Sequence, residues 1–153
     1  MSMEEARQEP TTERPEVLVV EDDLFFAVRI ETVLKRLGYA VRVVGTGEEA
    51  VRQASQRPPA LVILNYGRAH LEPDVVVRKL KALPHPAPVL GFLSHKLLPQ
   101  ARPNAKAAGV DLLVANSALS LRLPQLAARL APLDGSPARV EEAAELAEDA
   151  GEA

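Results

Sequence analysis

Two short apolar runs stop abruptly at polar residues, and this pattern limits the folds open to the chain. VLVV at Val17 to Val20 runs into Glu21, Asp22 and Asp23, and ALVIL at Ala60 to Leu64 runs into Asn65. An unbroken apolar run of this length suits a strand covered on both faces, the arrangement of parallel sheets. A strand with one wet face would alternate apolar and polar residues. In parallel α/β sheets the crevice outside the carboxyl ends of the strands, where strand order reverses, is where sites form.

The rest of the body repeats the alternation. Leu24 to Leu37 predicts a helix, with Phe26, Ile30, Val33, Leu34 and Leu37 at helical spacing and Gly38 suited to its C-terminal cap. Ala40 to Val44 is the second strand. Thr46 and Glu49 form a capping box before a helix whose apolar face is Ala50, Val51 and Ala54. Pro73 suits the first position of a third helix, with Val76, Leu80 and Leu83 on one face. Val89 to Leu93 and Leu112 to Val114 are the fourth and fifth strands. Between them Pro99 and Pro103 confine the fourth helix to Arg102 to Ala108, and Pro124 is expected to open the last helix, with Leu123, Leu126, Ala127 and Leu130 as its core face. Five β-α units with short connections predict a three-layer α/β/α, doubly wound, five-stranded parallel sheet in the order 2-1-3-4-5.

Residues 1–15, MSMEEARQEPTTERP, are polar and charged and are expected to form a disordered arm; they match neither a signal nor a transit peptide. Residues 134–153 are acidic and are expected to be a flexible tail, with a weakly docked helix as the alternative. The folded body is then 16–133. The chain has 153 residues, a formal charge of −3 and no cysteine. Disulfides, thiol catalysis and thiolate metal sites are therefore excluded, no basic nucleic-acid footprint is present, and a cytoplasmic location is expected. No apolar run approaches the ~20 residues that span a bilayer.

Three segments, in order and at the right spacing, carry a resemblance. VLVVEDDLFF, VVGTGEEAVRQASQRPPALVIL and AAGVDLLVANS resemble the first strand and acidic turn, the second helix and third strand, and the fifth-strand region of bacterial response regulator receiver (CheY-like) domains. The resemblance covers about 16–133 and implies a flavodoxin-like topology. In that family an aspartate ending the third strand takes a phosphoryl group, an acidic pair after the first strand holds Mg²⁺, a Thr or Ser ends the fourth strand, and a lysine follows the fifth. Carried over, the acidic pair is Glu21 and Asp22, but the acceptor position holds Asn65 and the lysine position Asn116. The hydroxyl position falls on Leu93, unless a one-residue bulge brings Ser94 into its place. The aromatic switch position of the fifth strand falls on Leu113. The sequence thus resembles a degenerate pseudo-receiver. PVLGFLSHK is also similar to receiver-like proteins with a histidine after the fourth strand.

Phosphoryl transfer to a side chain needs an anionic oxygen, and an amide oxygen is neutral and delocalised into its C–N bond. Asn65 is therefore no acceptor. The two changes compensate electrostatically: three carboxylates and one ammonium sum to −2, and Glu21, Asp22 and two neutral amides also sum to −2. Glu21 and Asp22 are the candidate metal ligands, with weak Mg²⁺ binding at most and no other cofactor. A hydrated, metal-free cluster of Glu21, Asp22 and Asn65 is the competing expectation. Arg68 is expected to pair with Glu21 or Asp22 or else be solvated. His70, His85 and His95 are expected in loops, and one of Phe25 and Phe26 must face outward.

The implied function is a stand-alone signal-transduction module, not an enzyme, that docks another signalling protein or a second copy of itself. Neither nucleic acid nor membrane is an expected partner. The resemblance puts the docking surface on the fourth helix, fifth strand and fifth helix, with Ala107, Leu113, Leu119, Leu121 and Arg122 as candidates. Two alternatives stand beside it. One is a phosphorelay receiver with residual Mg²⁺-dependent phosphorylation or a substitute acceptor, Ser94 or Asp23. The other is a flavodoxin-like small-ligand binder, although Glu21, Asp22 and Asp23 would repel a phosphate at the first turn.

Overall fold

Val17, Leu18, Val19 and Val20 are all fully buried in the computed structural model, which describes residues 14–152. Their strand, β1 (Glu16–Val20), has helices on both faces. Its side chains alternate between two cores: Leu18 and Val20 face one, Val17 and Val19 the other. The elements that follow are α1 (Leu24–Leu37), β2 (Ala40–Val44), α2 (Gly47–Gln56), β3 (Leu61–Asn65), α3 (Pro73–Lys81), β4 (Val89–Leu93), α4 (Leu98–Ala108), β5 (Leu112–Ala115), α5 (Asn116–Leu130) and α6 (Val140–Glu152). The strands pair in parallel in the order β2-β1-β3-β4-β5, as expected. Residues of α2, α3 and α4 fill the first core and residues of α1, α5 and α6 the second.

Local chemistry fixes the element ends. Asp23 caps α1 by accepting from Phe25 N, and Gly38, at φ 110°, closes it in the left-handed region that glycine enters without penalty. Thr46 accepts from Glu49 N to start α2. The return half of the expected box does not form, because the Glu49 carboxylate turns to Arg52 and Gln53 instead. The Tyr39 hydroxyl donates to Ala131 O at 2.8 Å and ties the α1–β2 turn to the end of α5.

Three expectations are corrected. Helix α4 begins at Leu98, not Arg102, with Pro99 in its first turn and Pro103 inside. Helix α5 begins at Asn116, eight residues before Pro124. An internal proline removes one i→i−4 bond. In α5 the buried residues Ala118, Leu119 and Leu123 lie before the proline and Leu126, Ala127 and Leu130 from two residues after it, so one apolar face spans the break and outweighs that loss.

The third correction concerns the expected acidic tail, 134–153, which carries α6. Ala143 is fully buried in the second core, with Val140, Leu146 and Ala147 beside it. Arg129 Nε lies 3.1 Å from Glu142 Oε1, and Arg139 N donates to Arg129 O at 2.7 Å. Small residues at helical spacing make this a thin but continuous apolar face. Of the expected arm over 1–15, residues 1–13 lie outside the described residues, and Pro15 O accepts from Ala40 N.

Gly91 in β4 packs closely against two residues of the first core, Leu113 and Tyr66. A Cβ there would lie 2.8 Å from Leu113 Cδ1 and 2.9 Å from Tyr66 Cδ1. Overpacking of this kind costs about 1–3 kcal/mol. Gly91→Ala should therefore lower the urea midpoint by that equivalent with an unchanged m-value; an unaltered midpoint would show that the two neighbours yield freely.

Candidate functional site

The carboxyl ends of β1 and β3 lie side by side, with Val20 in register with Leu64. This places the residues that follow β1 against Asn65, the last residue of β3. Glu21 is held by its backbone, whose N–H donates to Val44 O at 3.0 Å, and its side chain is 1% exposed. A buried carboxylate needs hydrogen-bond donors. Asn65 Nδ2 donates to Glu21 Oε1 at 2.6 Å, and Asp23 N donates to Glu21 Oε2 at 3.0 Å.

The other end of the Asn65 amide is also engaged: Gly67 N donates to Asn65 Oδ1 at 2.8 Å. These two partners fix the amide orientation. A carboxylate only accepts and a backbone N–H only donates, so the amide nitrogen must face Glu21 and its oxygen Gly67. Asn65 therefore points at the acidic turn, as expected, but it presents a donor where an aspartate would present a second anion.

The β3–α3 loop covers the carboxylates with cationic and imidazole groups. It makes a 3₁₀ turn over Ala69–Leu71 and closes at Glu72, whose φ of 51° is left-handed. Arg68 Nε lies 3.2 Å from Asp22 Oδ1 and 3.5 Å from Glu21 Oε2, and Arg68 Nη2 lies 3.4 Å from Asp23 Oδ2. The Nε–H is aligned with neither oxygen, so its two contacts are ionic rather than directed hydrogen bonds. His70 Nε2 sits 2.5 Å from Asp22 Oδ2, and since an ionised carboxylate only accepts, the ring is the donor. This bond, reinforced by the charges of His70 and Arg68, holds the Asp22 carboxyl below its ordinary range.

The remaining family positions lie apart from this cluster. Leu93 is buried, and its Cβ would lie 3.5 Å from a Cβ added at Gly67. β4 pairs without a bulge through Phe92 and Leu93, and Ser94 instead caps the His95–Leu97 turn by accepting from Lys96 N. The bulge that would bring Ser94 inward is therefore not formed. Asn116 lines a small groove between α1 and α5 with Phe26, Arg29, Ile30 and Phe92, and no hydrogen bond joins it to Glu21 or Asn65 among the described residues. Of the expected docking residues, Ala107 and Leu121 are exposed and Arg122 is half-buried. Leu113 and Leu119 are corrections: both are buried, Leu113 against Gly91 in the first core and Leu119 in the second, so neither forms part of a surface.

The cluster does not fit Mg²⁺, which wants near-octahedral oxygen ligation at about 2.0–2.1 Å. Both Glu21 oxygens, both Asp22 oxygens and the Asn65 oxygen already face N–H groups of the chain. Among the described residues no group of three or more His, Asp or Glu is arranged to hold a metal ion. At the weak Mg²⁺ site expected at Glu21 and Asp22 every carboxylate oxygen therefore already faces a polar group of the chain, with which a metal would have to compete. Of the two expectations for Arg68, pairing with Glu21 or Asp22 is the one the structure shows, whereas His70, expected only in a loop, is an added member of the cluster. Their only signal is position, three and five residues after Asn65 on the loop that faces the acidic turn.

No protein-family model matches the chain. The transcriptional regulatory protein ZraR of Escherichia coli is 26% identical over 104 residues, a match covering 68% of this chain and 24% of ZraR. The chain thus spans about a quarter of the length of that relative. Among solved structures, the receiver domain of the sensor histidine kinase PA1611 from Pseudomonas aeruginosa, with a magnesium ion coordinated in its active site cleft, aligns at a TM-score of 0.68 and 26% identity. That alignment covers 77% of this chain and 98% of that one. A response regulator from Chloroflexus aurantiacus aligns at 0.66 and 24% identity, over 76% of this chain and all of that one, and shows the fold alone.

Replacing Asn65 by aspartate tests the electrostatics of the cluster. Two carboxylates at this distance share a proton, so the folded pair holds a proton that the unfolded chain has released. A folded-state pKa raised in this way makes the stability loss deepen as pH rises through the carboxylate range. Asn65→Asp should lose about 1–3 kcal/mol at neutral pH and regain part of it in acid, read by urea unfolding across pH. A loss independent of pH would contradict this electrostatic account.

Proposed function

We propose that this response regulator receiver domain signals by docking to a protein partner and is not switched by phosphorylation at position 65. The observation that carries the proposal is the Asn65 amide, bonded at both ends, to Glu21 and to Gly67 N. Its oxygen is neutral and cannot form an acyl phosphate, and both of its hydrogen-bonding ends serve the fold. The positions around it agree: Leu93 offers no hydroxyl, and Asn116 lies outside the cluster.

The substitute acceptors are committed elsewhere. Ser94 caps the turn after β4, and Asp23 caps α1 and faces Arg68. No catalytic activity is assigned. A small-ligand role is disfavoured by the carboxylates at the first turn, which oppose a phosphate group.

The partner is another signalling protein or a second copy of the chain. Helix α6 packs against α5 near β5, so part of the expected fourth-helix, fifth-strand and fifth-helix face is already covered. Three exposed apolar side chains lie together on one side of α1, Leu24 at 75%, Phe25 at 70% and Val28 at 53%, whereas Leu121 on α5, 61% exposed, is the exposed leucine of the expected face. Phe25 is thus the outward member of its pair, with Arg29 stacked over its ring. This patch begins directly after Asp22 and Asp23, so apolar contact with a carboxylate rim suits a protein surface that carries apolar and basic side chains.

The test is direct. The full chain is incubated with acetyl phosphate and Mg²⁺ and its intact mass is recorded. It should remain unmodified under conditions in which an ordinary receiver domain, run beside it, takes up a phosphoryl group. A phosphoryl adduct that hydroxylamine removes would overturn the proposal.

A further inference from the structure

We propose that Arg68 is the resident cation of this pocket. Its guanidinium takes, through side-chain charge, the place where the resemblance implies a divalent metal, and it makes the pocket independent of metal. This goes beyond the docking reading, because it concerns what neutralises the carboxylates and not which surface a partner meets. The two are read by different measurements, phosphorylation by intact mass and metal dependence by titration of the unphosphorylated chain.

The inference rests on how the loop is built. Three carboxylates, Glu21, Asp22 and Asp23, follow one another after β1, and charges so close together are unstable without a counter-charge. Arg68 reaches all three, at 3.5, 3.2 and 3.4 Å. A guanidinium keeps its charge at any pH the fold survives, and its flat, multi-donor head can face several carboxylates at once. Its side chain is 36% exposed while that of Glu21 is fully buried, so it lies over the mouth of the pocket with its charge turned toward the acids.

The oxygens that point away from Arg68 are taken as well. Asn65 Nδ2 donates to Glu21 Oε1 and His70 covers the second Asp22 oxygen, while Glu21 Oε2, which faces Arg68, also accepts from Asp23 N. A metal entering here would have to displace the guanidinium and break some of these bonds. It would also stand beside a positive charge it cannot neutralise. Of the groups around the carboxylates, Arg68 alone is both always charged and partly solvent-accessible. Its removal is therefore the change that opens the pocket without disturbing the buried Asn65–Glu21 bond.

The test compares the full-length wild type with Arg68→Gln and Arg68→Lys by isothermal titration with MgCl₂ and by thermal melting with and without the ion. The wild type should give no saturable heat and no Mg²⁺-dependent shift in melting temperature. Arg68→Gln should melt lower and should bind Mg²⁺ saturably, about tenfold or more above the limit that the titration sets for the wild type, the scale on which groups around a metal site act. Its melting temperature should recover as Mg²⁺ is added. Arg68→Lys should stay insensitive to the ion, because it keeps the charge. Two results would overturn the proposal: saturable Mg²⁺ binding by the wild type with Arg68 intact, or an Arg68→Gln protein that melts like the wild type and gains nothing from Mg²⁺. The wild-type titration stands by itself should the variant fold poorly.

Discussion

A carboxylate taken out of water must be paired, bonded or protonated, and Glu21 is taken out of water almost completely. The amide of Asn65, 2.6 Å away, meets that requirement from the neighbouring strand end. The rest of the pocket follows from this bond. It fixes the amide with nitrogen inward, which turns the oxygen to Gly67 N and so sets the first step of the β3–α3 loop. The loop in turn brings Arg68 and His70 over the carboxylates that remain. The acidic turn is satisfied by groups of the chain itself.

The same self-sufficiency appears at the far side of the sheet. α6 lays Val140, Ala143, Leu146 and Ala147 into the second core beside the α5 residues, and its Glu142 pairs with Arg129. The five-unit body thus carries a sixth helix on the layer that already holds α1 and α5. Apolar surface is also left open on α1, next to the acidic turn, where Leu24, Phe25 and Val28 face solvent. The electrostatics of the pocket and the open apolar patch therefore belong to one end of the molecule, joined by Asp23, which caps α1 and faces Arg68.

Much of this was legible in the residues. Strand patterns are strong where burial is two-sided, as at Val17 to Val20, and the strand order follows from βαβ handedness once the alternation is read. The pairing of Asn65 with the acidic turn also follows, because both end adjacent parallel strands. Proline was misread in α4 and α5: a local rule placed Pro103 and Pro124 at helix starts, whereas burial on both sides of each proline keeps the helix continuous. α6 was hidden because its buried face relies largely on alanine, which gives little hydrophobic contrast in an acidic segment. Leu113 and Leu119 were placed on a surface by analogy, while the pleat of β5 and the inner face of α5 bury them. For Arg68 the residues leave pairing with Glu21 or Asp22 and a solvated place both open, because a loop arginine reads the same whether it meets three carboxylates or none; the left-handed turn at Glu72, which no residue type announces, closes the loop that carries it.

The pocket stands on the Asn65 side-chain amide being locked between Glu21 and Gly67. Nuclear magnetic resonance of that amide group measures it directly, with the exposed side chain of Asn104 as an internal reference. A locked amide gives resolved Nδ2 protons that exchange with water far more slowly than those of Asn104, one of them shifted downfield by the short bond to the carboxylate. Asn65 protons that exchange at the Asn104 rate would mean that the amide turns to solvent, and the pocket described here would not exist.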